Sequence, residues 1–256
     1  MKFGTLLKVP AVKAYWWKGV NNFGDALAPF LLDHFTELSN IEWSPVSSAE
    51  IVSIGSVLEH IPPNWGGYIV GSGMLREQSR LKFDPYGAKI LALRGPLSAR
   101  GIRGNFALGD PALLSNELIE RQEKRWDLGV LPHWQDSKLA DRFRALVPDK
   151  YTCKVIAPWD DPISVIKDVA ACRRLVTSSL HGMVVADAIG GIPRRVEVCD
   201  NLSAGGGMFK FRDYSESIRT PLEIGKMIEP DRNRIDDAKS EIYGAFRELS
   251  REYAKR

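Results

Sequence analysis

The chain has 256 residues, a formal net charge of +3, 44% hydrophobic and 26% charged residues. That length holds one large domain or two small ones with ample core. The near balance of charge excludes the strongly basic surface of a nucleic-acid binder, and the mixture is that of a globular enzyme.

Short apolar runs alternate with helix-like segments from one end to the other. Strands are predicted at 12–16, 51–54, 68–70, 89–93, 105–108, 128–131, 154–156, 174–177 and 195–198, and several are apolar almost throughout, as in strands buried on both faces of a parallel sheet. Helices are predicted at 25–35, 96–100, 137–145, 162–171, 183–189, 222–228 and 235–254. This alternation predicts an α/β fold of the doubly wound kind. The charged stretch 117–125 interrupts the rhythm. It divides the chain into a first Rossmann-like domain (1–120), a second (126–230) and a terminal helix (231–256) that packs back on one of them. The two domains are expected to face each other across a cleft.

Candidate chemistry lies where predicted strands end. Trp16 and Trp17 close the first strand and serve either buried packing or contact with a sugar or lipid headgroup. Asn22, Gly24 and Asp25 follow, as a helix cap or as polar tips lining a cleft. Gly71-Ser72-Gly73 ends another strand, where small residues let a ligand approach the backbone or simply make a tight turn. Arg94 leaves an apolar strand just before Gly95-Pro96, which aims a guanidinium fork at the sheet edge. A structural ion pair is the competing reading. Asp110 precedes Pro111 and either caps a turn or faces a substrate, and His133 ends the first strand of the second half.

The sharpest stretch is Thr177-Ser178-Ser179-Leu180-His181-Gly182. A strand stops at two serines, and His181 stands at a helix N-terminus, where amide groups and the helix dipole favour an anion. A helix N-terminus lowers an imidazole pKa and a bound phosphate raises it, so the sequence leaves the sign open. Gly205-Gly206-Gly207 reads as a flexible patch beside Lys210 and Arg212, two basic residues that supply charge to an anion or stay solvated.

Cys153, Cys172 and Cys199 have no metal-binding spacing and read as free thiols of a reducing cytosol. No metal ligand set is apparent. No apolar run approaches the ~20 residues that span a bilayer, and 1–14 lacks a leader-like core, so a cytoplasmic protein is expected.

Taken in order, Asn22-Phe23-Gly24-Asp25, Gly71-Ser72-Gly73, Leu93-Arg94-Gly95-Pro96, Gly109-Asp110-Pro111, Pro132-His133, Ser179-Leu180-His181-Gly182 and Phe209-Lys210-Phe211-Arg212-Asp213-Tyr214 resemble the polysaccharide pyruvyl transferase family. The chain departs from it at Gly190-Gly191-Ile192-Pro193, which carries one glycine more than usual. The resemblance implies two Rossmann-like domains arranged like a GT-B glycosyltransferase. It implies phosphoenolpyruvate as donor, no further cofactor, and a sugar acceptor, carried as a lipid-linked oligosaccharide, that becomes a cyclic pyruvate ketal. It places an arginine and a Leu-His pair on Arg94, Leu180 and His181. The expected roles are a donor clamp for Arg94 and a general acid–base for His181. Asn22, Gly24, Asp25, Gly71, Ser72, Gly73, Asp110, His133, Ser178, Ser179, Leu180, Lys210 and Arg212 are expected around the substrates. Peripheral contact with the inner face of a membrane is a further expectation. A nucleotide-sugar glycosyltransferase and a non-catalytic carbohydrate-binding protein are the competing functions.

Overall fold

The computed structural model describes residues 11–136, 138–145, 147–197 and 207–255. Gly205, Gly206 and Cys199 lie outside them, as does Ser137 at the start of one predicted helix.

Two sheets carry the fold. The first has six strands: β1 (Val12–Tyr15), β2 (Ile41–Trp43), β3 (Ile51–Val52), β4 (Tyr68–Val70), β5 (Lys89–Leu93) and β6 (Ala107–Leu108). Their order is β2-β1-β3-β4-β5-β6 and every pairing is parallel. The second has β7 (Leu128–Leu131), β8 (Cys153–Val155), β9 (Leu175–Thr177), β10 (Arg194–Val196) and β11 (Met227–Ile228), ordered β11-β10-β9-β7-β8. Only the β10–β11 pairing is antiparallel. The architecture is mixed α/β.

Helices α1 (Phe23–Ala26) and α2 (Ala28–Phe35) follow β1. The predicted single helix 25–35 breaks here because Pro29 has no N–H to give and is tolerated only in a first turn. Next come α3 (Pro96–Ala99), α4 (Lys138–Arg144), α5 (Pro162–Ala170), α6 (Leu180–Ile189), α7 (Met208–Ser217) and α8 (Arg232–Ala254). Two expectations are corrected. Residues 222–228 form no helix, since Met227 and Ile228 pair with β10. The residues from Met208, expected as loop, form α7, whose Phe211 and Tyr214, with Ile218 just past its end, repeat at helical spacing and are buried.

One apolar core joins the two sheets. It runs from Ala14, Leu31 and Val70 through Leu131, Ile166 and Val184 to Val196 and Phe246. At its centre α6 is buried from Leu180 to Ala188, so it needs no polar face. The terminal helix α8 packs on β4, β5, β6 and α2 and also reaches α6, where Lys239 Nζ donates to Ala188 O at 2.7 Å. Links also cross at the strand ends: Phe23 N–H donates to Pro158 O at 2.8 Å and Asn21 Nδ2 to Trp159 O at 2.7 Å.

Candidate active site

A cavity of about 390 Å³ opens where the carboxyl ends of strands from both sheets meet. Strand order explains its place. The first sheet reverses at β1, which lies between β2 and β3, and the second reverses at β7, which lies between β8 and β9. At such a reversal the connections leave toward opposite faces and open a crevice. Trp17 and Asn22 come from beyond β1, Ser56 and Val57 from beyond β3, His133 and Trp134 from beyond β7, and Ser179, Leu180 and His181 from beyond β9.

His181 occupies the first turn of α6. Ser179 starts that helix, its Oγ accepting from Gly182 N–H at 3.4 Å. The imidazole is 6% exposed and lies edge-on to Phe23, with ring centroids 6.4 Å apart. Its Nε2 is buried and has no hydrogen-bond partner among the described residues. Burial pushes its pKa down to about 3, helped by the charges of Lys210, Arg94 and His133, so the ring is neutral near pH 7. Room for it comes from Gly24: a Cβ there would overlap the ring at Nδ1 and Cγ. We therefore expect Gly24→Ala to displace the imidazole, cutting turnover at least tenfold and stability by about 1–3 kcal/mol. Kinetics and thermal melting check this, and unchanged values for both would contradict the geometry.

Asp25, Lys210 and His133 are among the other titratable groups that line the cavity. Asp25 is 7% exposed and accepts from Asn22 Nδ2 at 2.7 Å. Burial raises its pKa to about 6, against the lowering influence of that hydrogen bond and of Lys210. Lys210 comes from α7 and is 8% exposed, so it is neither solvated nor on a loop. His133 is held at about 3, by burial first and Lys210 second. Its backbone N–H donates to Ser178 Oγ at 2.9 Å.

Other expected residues stand behind the wall. Arg94 is 0% exposed and does not line the cavity. Its Nε donates to Asp213 Oδ2 at 3.0 Å, Nη1 to Ser56 Oγ at 2.6 Å and Nη2 to Met74 O at 2.6 Å. The expectation of a fork open to the donor is corrected, because all three nitrogens are committed. Ser98 Oγ and N–H also donate to Asp213, at 2.6 and 2.8 Å. Arg94 and Asp213 thereby fasten the end of β5 to the helix that carries Lys210, with Ser56 as their contact with the cavity wall.

Gly71-Ser72-Gly73 belongs to the same buried layer. Ser72 Oγ donates to Gly55 O at 3.0 Å, and a Cβ on Gly73 would overlap the Arg94 guanidinium. Asp110 caps the 3₁₀ segment Pro111–Leu118 through Ala112 N–H at 2.9 Å. Burial raises its pKa to about 6, and its Oδ2 has no hydrogen-bond partner among the described residues. Ser178 is buried under His133. Arg212 is exposed and outside the lining, since two residues along a helix reverse the face. Sequence reasoning missed Ser56, Glu59, His60, Arg76 and Trp134, which line the cavity from loops and from the 3₁₀ segment Leu58–His60 without a motif. Among the described residues no group of three or more His, Cys, Asp or Glu is placed to hold a metal, and no helix is long and apolar enough to cross a membrane.

Comparison with known proteins adds a relative. The chain is 27% identical over 218 residues, 81% of its length, to the succinoglycan biosynthesis protein ExoV of Rhizobium meliloti (strain 1021). That match supports the polysaccharide pyruvyl transferase family. The chain is also 29% identical over 116 residues, 43% of its length, to the uncharacterized protein L143 of Acanthamoeba polyphaga mimivirus. It spans 65% of the length of ExoV and 39% of that of L143. No family model matches. The residues that carry the family resemblance fall into two layers. Asn22, Asp25, His133, Ser179, Leu180, His181 and Lys210 line the cavity, whereas Gly24, Gly73, Arg94 and Asp213 hold the lining in place.

Proposed function

We propose that this chain transfers the pyruvyl group of phosphoenolpyruvate to a sugar of an exopolysaccharide repeat unit as a cyclic ketal, releasing phosphate. Support comes from the relative named for succinoglycan biosynthesis and from the family resemblance. The observation that carries the reading is the unpartnered Nε2 of His181, in a cavity it shares with Lys210 and Asp25.

The donor carries a carboxylate and a phosphate on three carbons. Lys210 and the first turn of α6 attract that charge, and Arg76 adds a guanidinium at the wall. Arg94 contributes a field from behind, largely offset by Asp213. A bound trianion then stabilises the charged imidazolium and disfavours the Asp25 carboxylate, raising both pKa values.

Protons balance around two groups. Asp25, as the acid, protonates C3 and leaves C2 oxocarbenium-like. A first sugar hydroxyl attacks C2 and gives its proton to His181 Nε2. Phosphate departs with that proton, and a second hydroxyl closes the ketal as Asp25 recovers the proton it gave. Two hydroxyl protons are consumed, one appearing in the methyl group and one on phosphate.

Incubating the protein with phosphoenolpyruvate and a panel of galactosides, glucosides and mannosides tests this. Acceptor-dependent phosphate release with a pyruvate ketal in the product is expected. Turnover that requires a nucleotide sugar instead would replace the reading with glycosyl transfer. Sugar binding without turnover of either donor would make the chain a carbohydrate-binding protein.

A further inference from the structure

Two tryptophans that line the cavity have no part in the donor chemistry. Trp17 follows β1 of the first sheet and Trp134 follows β7 of the second. Their ring centroids are 6.0 Å apart with planes inclined at 30°. Trp134 also lies 5.5 Å from the His133 ring at 33°, so the three rings are neighbours, the two indoles half-buried. All four side chains line the same cavity.

The neighbouring Trp16 shows what a purely structural tryptophan does here. It is buried in the core, and Lys18 lies over its ring and that of Trp43, with Nζ 5.0 and 4.9 Å from the centroids. Trp43 and Trp65 donate their indole N–H groups to Trp16 O and Ala49 O, each at 2.9 Å. Among the described residues no such acceptor serves Trp17 or Trp134. Half-exposed indoles with free donors, beside the polar side chains of Glu59 and Gln135, offer a flat apolar surface edged by hydrogen-bonding groups. A hexopyranose matches that surface: its C–H face is apolar and flat, and its rim is hydroxyl.

We infer that Trp17 and Trp134 form the acceptor subsite, against which a hexopyranose ring stacks with its hydroxyls turned inward to His181. This rests on the proposed transfer for the word acceptor, but not for the binding itself. Because the two rings come from different sheets, the subsite exists only in the assembled fold.

The test uses saturation-transfer NMR with methyl β-D-galactopyranoside, methyl β-D-glucopyranoside and methyl α-D-mannopyranoside on the full chain. Phosphoenolpyruvate binding is measured by calorimetry on the same samples. At least one glycoside should receive saturation on the C–H protons of one ring face. Trp17→Ala and Trp134→Ala should each weaken it about tenfold, and Trp134→Phe should hold it within about twofold. Phosphoenolpyruvate affinity should stay unchanged in all three. Equal glycoside affinity in wild type and both alanine variants overturns the subsite, and so does a wild type that binds phosphoenolpyruvate but none of the glycosides. If glycoside binding needs the tryptophans while phosphoenolpyruvate neither binds nor reacts, the subsite stands and the pyruvyl reading falls.

Discussion

Replacing His181 with alanine lowers turnover by about 10²–10⁴-fold, the usual contribution of a positioned acid–base group, while the protein stays folded. The separation follows from the geometry. Nε2 has no hydrogen-bond partner to lose among the described residues, and the ring lines the cavity, so its removal enlarges that cavity and breaks no hydrogen bond of Nε2. A structural imidazole would give the reverse, a lower melting temperature with residual activity. The measurements are phosphate release from phosphoenolpyruvate with an accepted glycoside, and thermal unfolding. Near wild-type turnover removes His181 from the mechanism. The pH profile belongs to the same argument. Asp25 must be protonated to act as the acid, and its pKa in the free protein is about 6. The fraction in the acid form declines as pH rises through that value. Thus kcat/KM, which reports free-enzyme pKa values, falls above pH 6 and holds below it. His181, at about 3, does not add a limb in the accessible range. Asp25→Asn removes this limb together with most of the activity. A profile flat from pH 5 to 8 would assign the proton to another group.

Arg94→Met destabilises the fold by about 3–5 kcal/mol, because it leaves the Asp213 carboxylate uncompensated in a site where both partners are 0% exposed. For a chain of this size that lowers the melting temperature by roughly 10 °C. Removing both charges in Arg94→Met/Asp213→Leu recovers part of the loss, since neither charge is then stranded. Arg94→Lys also melts early, because one ammonium cannot reach Asp213, Ser56 and Met74 O together. Donor binding weakens in these variants through the helix that bears Lys210, so affinity and stability fall together. A direct clamp would behave differently: Arg94→Lys would lose donor affinity at an unchanged melting temperature, and that result would return the guanidinium to the substrate.

Much of the fold was legible because buried parallel strands announce themselves. Tyr68–Val70, Lys89–Leu93 and Leu128–Leu131 coincide with their predicted bounds, each an apolar run between turn residues. Edge strands gave weaker signals. Ile41–Trp43 is short and mostly exposed, and Met227–Ile228 owes its conformation to a distant partner, β10. The helix α7 was hidden by the glycines before it, although Phe211, Tyr214 and Ile218 already marked its inner face.

The chain order alone determined that the candidate residues sit at strand ends and that His181 opens a helix, because apolar run, serine cap and apolar helix are local patterns. It could not decide which charges meet a substrate. Arg94 and Lys210 are both cationic side chains near strand or helix starts, yet one is bound on every nitrogen behind the wall and the other faces the cavity. That difference is set by Asp213, Ser56 and Met74, which lie 119, 38 and 20 residues from Arg94 along the chain. A fork's availability depends on who satisfies it, and only packing brings those partners together.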